Sequence, residues 1–364
     1  MLLKPIYKAS TLLACILFAG CSSQPEINPL DSNMQYNNMR TVENFDDYVK
    51  FLKGKAKGEG VSDKVLHENQ QINYIQKAVD LDRQQAGKIR KRDPNEPVRL
   101  NPNGTTNYLN RVLTQRKVDI ASERYWEQQK QLEQASQRFG VQKEYLLSLW
   151  GMESSFGYYQ GNYDVLSVLA TLAFEGRREK LFSQEFVSAM KMLERQDIPR
   201  QRMLGSWAGA MGQTQFMPSS YLRYAADGNQ DGEKDIWKNH YDVFASIASY
   251  LSTVGWNKNV PWGVEVQLTQ PLSLEISGIE KEKKRSLNEW QNLGITLKSF
   301  SPEEQQKLTA LSTSDLWLVR PDREVGRVFL VSNNYRTLLD WNRSNYFAVS
   351  IGMFADRIKQ QVGL

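Results

Sequence analysis

Residues 150–157 read Trp-Gly-Met-Glu-Ser-Ser-Phe-Gly, and they place a single acid, Glu153, among bulky apolar residues. The pattern from Ala121 to Trp150 predicts a helix leading into this stretch, and Gly157 is a typical helix stop. Trp150 and Phe156 each stand three residues from Glu153, so we expect the three side chains to share one helix face. Aromatic neighbours solvate a carboxyl group poorly and raise its pKa, as a general acid requires. The alternative is a surface glutamate near a helix end.

The composition excludes several kinds of chemistry. The chain has 364 residues, enough for two or three domains, with 40% hydrophobic and 24% charged residues and a net charge of +5. This charge is too weak to indicate a nucleic-acid partner. The only cysteines are Cys15 and Cys21, and the only histidines are His67 and His240. A disulfide framework downstream, a Cys–His nucleophile and a His-rich metal site are therefore not expected.

The first 40 residues have the features of an export signal and a tether. Residues 1–20 contain Lys4 and Lys8 and then an apolar run too short to span a bilayer as a helix. The run ends in Leu-Phe-Ala-Gly-Cys21, which resembles a bacterial lipoprotein signal and predicts lipidation of Cys21. The alternative is an ordinary signal peptide with an incidental cysteine. Residues 21–40 are rich in Asn, Gln, Ser and Pro and are predicted to form a flexible tether.

Hydrophobic periodicity predicts helices over most of the chain up to residue 258. The repeat i, i+3, i+4, i+7 first appears at Phe45, Tyr48, Val49 and Leu52. Residues 90–106 are basic, polar and proline-bearing, and we interpret them as a loop. Further helices are predicted after an N-cap at Ser62, from Tyr108 to Trp150 with a break near Gly140, from Val165 to Phe174 behind an N-cap at Asp164, from Phe182 to Leu193 and from Asp242 to Leu251.

From about residue 260 the pattern changes to that of strands. Val264, Val266 and Leu268 alternate with polar residues, as do the apolar residues of 272–276. Short apolar runs follow at residues 316–319 and 328–331, with a short helix predicted between Ser286 and Leu293. Helical periodicity returns from Tyr335 to Val362. The sequence therefore predicts a mainly α (α+β) protein with a β-rich insert.

An acidic stretch at residues 227–235, Asp-Gly-Asn-Gln-Asp-Gly-Glu-Lys-Asp, spaces oxygen atoms as an EF-hand loop does. The twelfth position is Lys238 instead of a bidentate glutamate, so we expect Asp242 to reach back from the next helix. The alternative is a solvated acidic turn closed by Asx-type hydrogen bonds. The candidate ligands of a structural calcium ion are Asp227, Asn229, Asp231, Glu233, Asp235 and Asp242.

Glycoside hydrolysis usually needs two carboxylates, and the sequence offers no obvious partner for Glu153. Asp164 is the nearest candidate, but its place before a helix is better explained as a cap. A mechanism with one carboxyl group therefore suits this chain better. Residues 205–221, Gly-Ser-Trp-Ala-Gly-Ala-Met-Gly-Gln-Thr-Gln-Phe-Met-Pro-Ser-Ser-Tyr, are rich in glycine and alanine, which predicts close approach of the backbone to a helix, a turn or a ligand.

From about Phe45 to its end, the chain resembles the membrane-bound lytic transglycosylases of the B type. The matching motifs are residues 150–157, 165–173 with Gly-Arg-Arg at 176–178, 205–221, the acidic loop with Ile236-Trp237, and Trp-Asn-Arg-Ser-Asn-Tyr-Phe-Ala at 341–348. The resemblance implies a lysozyme-like helical core with an additional helical domain and a small inserted β-rich domain. We therefore expect an N-terminal helical domain at 41–135, a catalytic core at 136–258, the β-rich insert at 259–333 and a C-terminal helix at 334–364 that returns to the core.

The resemblance also implies cleavage of the β-1,4 bond between N-acetylmuramic acid and N-acetylglucosamine in peptidoglycan, without water and without a required cofactor. Glu153 matches the family's catalytic acid. It is expected to protonate the leaving oxygen and then, as carboxylate, to take the proton of the muramic acid C6 hydroxyl, which gives a 1,6-anhydro product.

By the same resemblance, five polar side chains are expected in the sugar cleft: Ser206, Gln215, Tyr250, Asn342 and Tyr346. Tyr346 and Phe347 compete for one aromatic position of the family. The acidic loop matches a calcium-binding loop of some members. The expected location is the periplasmic side of the outer membrane of a Gram-negative bacterium, with a lipid anchor at Cys21. The alternatives are a hydrolytic muramidase and a catalytically silent peptidoglycan-binding lipoprotein.

Overall fold

The computed structural model describes residues 42–88 and 100–364. The signal, the tether, Cys21 and most of the predicted loop at 90–106 lie outside the described residues. The described helices are α1 Phe45–Gly58, α2 Asp63–Glu68, α3 Gln76–Lys88, α4 Gly104–Val112, α5 Gln115–Glu127, α6 Gln129–Phe139, α7 Lys143–Ser154, α8 Val165–Phe174, α9 Glu179–Glu194, α10 Pro218–Tyr224, α11 His240–Thr253, α12 Leu287–Asn292, α13 Pro302–Leu311, α14 Asn333–Trp341 and α15 Asn345–Val362. In the described part of the chain, none of these helices is both long and apolar enough to cross a bilayer.

The strands form two antiparallel sheets. A small ribbon beside α8 is formed by two strands of two residues each, β1 (Tyr163–Asp164) and β2 (Leu204–Gly205). The larger sheet has the order β4-β3-β6-β5, with every neighbouring pair antiparallel. Its strands are β3 Gly263–Leu268, β4 Ile295–Leu297, β5 Trp317–Val319 and β6 Val328–Val331. The mainly α fold with one inserted sheet is the predicted fold class.

Both faces of this sheet are covered, which explains the unbroken apolar runs of its strands. In β6, Phe329 and Val331 pack into the large helical core, whereas Val328 and Leu330 pack into a separate small core of the insert. Alternate residues of a strand point to opposite faces, so every residue of β6 is buried.

Local sequence signals correctly predicted where several helices begin. The predicted helix 165–174 agrees with α8, and the Asp164 side chain accepts a hydrogen bond from the Ser167 N–H as its N-cap. The Ser62 side chain caps α2 by accepting from the Val65 N–H. Ser286 and Glu289 form a capping box at the start of α12. Short polar side chains before an apolar run predict helix starts because they satisfy backbone N–H groups that have no helical partner.

Other predictions were wrong. Residues 274–276 form a 3₁₀ turn, although their alternation indicated a strand. The helix α13 was missed, although Ser301 caps it and Pro302 occupies its first turn. The helix predicted from Tyr335 to Val362 is broken after Trp341, and Ser344 caps a new helix, α15. The predicted loop also ends earlier than expected, because α4 begins at Gly104.

The helix α7 lies at the centre of the helical part of the molecule. It packs against α5, α6, α11 and α15. All residues from Glu144 to Ser154 are buried, so the amphipathic pattern of a surface helix is missing. The N-terminal helices share the same core, since Phe45 and Tyr48 pack against Phe174 of α8. The domain boundary predicted between residues 135 and 136 lies inside α6, and the division into domains stays a proposal.

Candidate active site

The catalytic candidate stands on the last turn of α7, where the backbone changes direction sharply. Ser155, Phe156 and Gly157 all have positive φ angles, of 50°, 61° and 84°. The Ser154 hydroxyl stabilises this turn by accepting a hydrogen bond from the Gly157 N–H at 3.0 Å. The helix therefore ends before Phe156, and the prediction that Phe156 shares a helix face with Glu153 was wrong. The phenyl ring instead folds back against Trp150, with 5.4 Å between ring centroids.

The carboxyl group of Glu153 is buried, with only 3% of the residue exposed. Burial raises its pKa to about 7, against the opposing effects of a hydrogen bond from Trp341 and the charge of Lys117. The Trp341 indole N–H donates to Glu153 Oε1 at 2.7 Å. The raised pKa expected from the sequence is therefore present, and the aromatic ring that bonds to the carboxyl group is Trp341.

Trp341 is held in place by aromatic rings from two other parts of the chain. Its ring lies 4.7 Å from that of Tyr250 on α11 and 5.3 Å from that of Phe216. Tyr224 in turn packs on Tyr250 at 4.3 Å. Such contacts fix the plane of the indole, and so they fix the direction of the N–H that reaches Glu153.

Trp150 has a structural connection to the glycine-rich stretch. Its indole N–H donates to Gln213 Oε1 at 2.7 Å, and Gln213 Nε2 donates to the Trp237 carbonyl at 2.9 Å. A Cβ atom added at Gly157 would overlap Gln213 Oε1, so this position accepts only glycine. The buried Gln213 amide thus ties the catalytic helix to the segment that follows the acidic loop.

Residues 205–221 form the tight backbone structure that their small side chains predicted. A Cβ atom at Gly161 would overlap the Gly205 carbonyl, so the turn after α7 lies directly on this stretch. The Ser206 hydroxyl accepts hydrogen bonds from the N–H groups of Ala208 and Ala210, at 3.3 and 3.1 Å. The close approach that the sequence left open is therefore an approach of backbone to backbone at Gly161 and Gly205, and an approach to the Leu169 side chain of α8 at Gly209.

Gln215 also shapes this stretch. Its φ angle is 51°, and its side-chain amide donates to the Gly212 carbonyl at 2.9 Å and to the Gln160 carbonyl at 3.3 Å. The amide therefore joins the glycine-rich stretch to the turn that follows Glu153.

The other three predicted cleft residues lie in different surroundings. Tyr250 is buried and packs on Trp341, which bonds to Glu153. Asn342 follows Trp341, and its Oδ1 accepts from the Ser344 N–H at 3.1 Å. Tyr346 is bound elsewhere, since its hydroxyl donates to Asp322 Oδ1 at 2.7 Å and its ring stacks on Tyr108. Of these three residues, Tyr250 is the one that packs on Trp341, which in turn donates a hydrogen bond to the catalytic carboxyl group.

Asp164 is not available as a second catalytic carboxyl group. Arg200 donates to both of its oxygens at 2.8 Å, and the Ser167 N–H donates to Oδ2 at 2.9 Å. Burial alone raises the pKa of Asp164, but these bonds outweigh burial and hold the pKa below its usual value. A carboxylate that is paired in this way is a structural cap, as its place in the sequence predicted.

The acidic loop uses its carboxylates to bind its own backbone. The Asp227 carboxylate accepts from the N–H groups of Gln230 and Gly232 at 2.6 and 2.8 Å. The Asp242 carboxylate, fully buried, accepts from those of Gly228 and Asp235 at 2.7 Å each. Asp242 thus contacts the backbone of the loop, and its predicted role as a calcium ligand stays a prediction.

This arrangement is that of an Asx-type turn. Asp231 Oδ1 accepts from the Glu233 N–H, and Asn229 donates its amide to Asp231 Oδ2 at 2.7 Å. Within residues 42–88 and 100–364, no three acidic, histidine or cysteine side chains converge on a metal position. The oxygen ligands suit calcium by type, while in this structure the carboxylates of Asp227 and Asp242 accept hydrogen bonds from backbone N–H groups, and the calcium prediction stays a prediction.

Three residues of this site were missed at the level of sequence. Trp341 was recognised as part of a motif, but no role was assigned to it. Its contact with Glu153 could not be seen in the sequence because the two residues are 188 positions apart. Gln213 was passed over beside Gln215. Lys117 lies on α5, where its Nζ is 3.4 Å from Met152 Sδ and its charge lowers the pKa of Glu153. No local pattern distinguishes this lysine from the other cations of the helix.

Comparison with known proteins identifies the family. The family model of the transglycosylase SLT domain matches residues 44–356. The membrane-bound lytic murein transglycosylase B of Escherichia coli strain K12 is 39% identical over 137 residues, which span 37% of this chain and 37% of that protein. The match thus covers little more than a third of that relative's length.

Solved structures agree with the family match. SltB3 from Pseudomonas aeruginosa, in complex with NAG-anhNAM-pentapeptide, is 31% identical with a TM-score of 0.74, and the match covers 86% of this chain and 79% of that one. The Escherichia coli lytic transglycosylase Slt35 in complex with calcium has a TM-score of 0.69 at 24% identity, over 87% of this chain and 94% of that one, which shows a common fold. The chain therefore belongs to the transglycosylase SLT domain family, the lysozyme-like peptidoglycan lytic transglycosylases that include the membrane-bound B type.

Proposed function

We propose that this protein cleaves the β-1,4 bond between N-acetylmuramic acid and N-acetylglucosamine without water, with Glu153 as its single acid and base. The observation that carries the proposal is the buried Glu153 carboxyl group, whose pKa of about 7 lets it hold a proton and release it near neutral pH. SltB3, a relative, was crystallised with a ligand that contains an anhydro sugar.

The reaction requires two proton transfers at one side chain. Protonated Glu153 donates its proton to the glycosidic oxygen, and the bond from that oxygen to C1 of muramic acid breaks. The C6 hydroxyl then bonds to C1, and its proton returns to Glu153, so the enzyme is restored and no water is consumed. The Trp341 N–H donates to Oε1 and holds the carboxyl group in position for both transfers.

The pairing of Asp164 with Arg200 favours a mechanism that uses one carboxyl group over a mechanism that uses two. A hydrolytic muramidase usually places a second carboxylate beside the scissile bond. Asp164, the candidate from the sequence, is held by Arg200 and caps α8. The groups that shift the pKa of Glu153 are a tryptophan and a lysine, with no carboxylate among the described residues that act on it. The absence of a second acid is expected when the C6 hydroxyl replaces water.

Several finer parts of the proposal rest on the resemblance. We assign Ser206, Gln215, Tyr250, Asn342 and Tyr346 to the sugar cleft. We also assign the protein to the periplasmic side of the outer membrane through a lipid at Cys21. The calcium site of the acidic loop rests on ligand spacing and on the resemblance of this loop to a calcium-binding loop of some family members, and the chemistry of Glu153 does not use it.

The products of purified murein test the proposal. We expect wild-type protein to release muropeptides with 1,6-anhydromuramic acid ends, identified by mass spectrometry. Glu153→Gln keeps the shape of the side chain and its acceptor for Trp341 but has no acidic proton, so we expect product formation to fall at least 1,000-fold. Binding of the variant to murein is expected to persist.

Each alternative function has its own outcome in the same experiment. Muramic acid at reducing ends would indicate a hydrolytic muramidase. Binding of murein with no soluble product would indicate a silent binding lipoprotein. Full activity of Glu153→Gln would contradict the assignment of the acid.

A further inference from the structure

Two consecutive tyrosines are exposed on the turn that follows the catalytic helix. Tyr158 is 78% exposed and Tyr159 is 55% exposed. In residues 42–88 and 100–364, neither hydroxyl group has a hydrogen-bond partner. Most tyrosines in folded proteins bury a large part of the ring, and two adjacent exposed rings form a patch that is typical of a binding surface. We name these two side chains the tyrosine pair.

The backbone that carries the tyrosine pair is fixed to the end of α7. The Tyr159 N–H donates at 2.8 Å to the carbonyl of Ser154, which is the residue after Glu153. The Tyr158 N–H donates to the Ser155 carbonyl at 3.4 Å. Both bonds fold the chain back onto the last turn of the helix that carries the catalytic acid.

The far side of the same turn contacts the glycine-rich stretch. The Gln215 side-chain amide donates to the Gln160 carbonyl at 3.3 Å. A Cβ atom added at Gly161 would overlap the backbone nitrogen of Ser206. Gln215 and Ser206 are two of the residues that we assign to the sugar cleft. The tyrosine pair therefore lies on the segment that connects the catalytic acid to this cleft.

The two rings form a corner with aromatic walls. Their centroids are 4.6 Å apart, and their planes make an angle of 85°. This edge-to-face arrangement is favourable for aromatic rings, so each ring helps to hold the other in place. The backbone below them is held as well, and a surface that is already ordered loses little conformational freedom when a ligand binds.

The chemistry of the corner fits an uncharged sugar. The ring substituents of β-1,4-linked amino sugars are equatorial, so both faces of the pyranose ring carry axial C–H groups. Such C–H groups pack well on the negatively polarised face of an aromatic ring. Tyrosine hydroxyl groups can also donate to and accept from the polar groups at the rim of a sugar ring.

We propose that the tyrosine pair stacks on a pyranose ring of the glycan strand, next to the two sugars that flank the scissile bond. The pair holds the strand and takes no part in proton transfer. This inference rests on the proposed function for the identity of the substrate. It extends the sugar cleft to two residues that follow the motif at 150–157 and lie outside it.

Sugar binding without cleavage tests the tyrosine pair directly. The probe is the peptide-free hexamer of β-1,4-linked N-acetylglucosamine, titrated calorimetrically into the whole chain with Glu153→Gln as the parent. We expect Tyr158→Ala with Tyr159→Ala to weaken binding at least tenfold, because both stacking faces are lost. Tyr158→Phe with Tyr159→Phe keeps the faces, and its affinity is expected to stay within about threefold of the parent.

Kinetics on murein separate holding of the strand from chemistry. With Glu153 present, the alanine double variant is expected to lower kcat/KM at least tenfold, mainly through KM. The pH–rate profile is expected to keep its wild-type position, because the bond between Trp341 and Glu153 is untouched. Since both tyrosine side chains are exposed, Tm should stay within about 2 °C of the wild-type value, which separates lost binding from lost folding.

The matched control is Phe300→Ala, which removes another exposed aromatic side chain. Phe300 is 66% exposed and lines a cavity of the insert together with residues of its separate small core. We expect hexamer binding and murein kinetics of this variant to equal those of its parent.

Three results overturn the inference. They are a parent that does not bind the hexamer, hexamer binding that the alanine double variant retains, and an equal loss in the phenylalanine and alanine double variants. A shifted pH–rate profile contradicts the holding role, because the pair would then act through Glu153. The failure of the proposed function has a different sign, namely wild-type products without anhydro ends. The titration still decides the role of the tyrosine pair in that case, because it requires no cleavage.

Discussion

At the scale of single residues, the pKa of Glu153 is subject to two opposing influences. Burial raises its pKa, while the Trp341 N–H and the Lys117 charge lower it, and the balance lies at about 7. Burial alone would keep the proton on the carboxyl group and hinder its transfer to the substrate. A bond that stabilises the carboxylate makes both halves of the reaction possible at one pH.

Trp341→Phe removes this stabilising N–H and keeps an aromatic ring. Because the hydrogen bond lowers the pKa of Glu153, its loss is expected to raise that pKa by roughly one to two units. The limb of the pH–rate profile that reports ionisation of Glu153 should move to higher pH by the same amount. Because the weaker acid transfers its proton to the substrate less readily, kcat at neutral pH should fall about tenfold.

The matched control is Trp290→Phe in the insert, which removes a buried indole bond to the Leu316 carbonyl and has no contact with the site. We expect it to lower stability without moving the pH–rate profile. A slower Trp341→Phe enzyme with an unchanged profile would mean that the indole acts by packing alone.

At the scale of elements, the turn after α7 holds the active site together. Three successive positive φ angles bring the chain back onto the glycine-rich stretch, where Gln213 bonds to Trp150. Positive φ angles are costly for residues other than glycine, so this turn persists only because the surrounding contacts compensate for its strain.

Gly157→Ala tests this compensation. The variant strains a backbone with φ of 84° and pushes a methyl group into the Gln213 amide, so the free energy of unfolding is expected to fall by about 1–3 kcal/mol. Urea denaturation measures the loss. Gly54→Ala is the control, because no atom lies within 4 Å of its added Cβ on α1 and helix propensity favours it by about 0.5–1 kcal/mol. Equal stability of both variants would contradict the role of the turn.

The acidic loop makes a second prediction at this scale. If calcium replaces the backbone N–H groups as the partner of the loop carboxylates, calcium at about 100 times its Kd should raise Tm by roughly 5 °C. Asp231→Asn should lose this response, and magnesium at the same concentration serves as the ion control. An unchanged Tm would leave the loop as an Asx-type turn without a metal.

At the scale of the whole molecule, the active site is assembled from distant parts of the chain. Glu153 comes from α7, Lys117 from α5, Tyr250 from α11 and Trp341 from α14. The inserted sheet separates the last of these from the rest, yet β5 and β6 also pack on the helical core through Trp317 and Phe329. The insert is therefore held against the helical core by side chains of both strands.

The proposed lipid anchor of the molecule is at Cys21, which lies outside the described part of the chain. We expect Cys21→Ser to move the protein from the outer-membrane fraction to the soluble periplasmic fraction, because the lipidated thiol is lost. Cys15→Ser is the control and should remain in the membrane fraction. Membrane attachment of Cys21→Ser would contradict the lipid anchor.

The sequence by itself determined the features that depend on near neighbours along the chain. Asp164 and Ser62 were identified as caps, and the helix at 165–174 was placed correctly, because caps and periodicity act within one or two turns. The acid at Glu153 was found from its apolar neighbours together with the family motif. The break after Trp341 was missed, although residues 342–345 are all polar and Ser344 is a typical N-cap residue.

Only the tertiary structure decided which groups act on one another. It brought the Trp341 N–H to a carboxyl group 188 residues away, tied Asp164 to Arg200, and turned the Tyr346 hydroxyl to Asp322. The physical reason is that the pKa of a carboxyl group depends on burial and on the charges and donors within a few ångströms. Those neighbours are set by packing of the whole chain, and no local pattern in the sequence carries them.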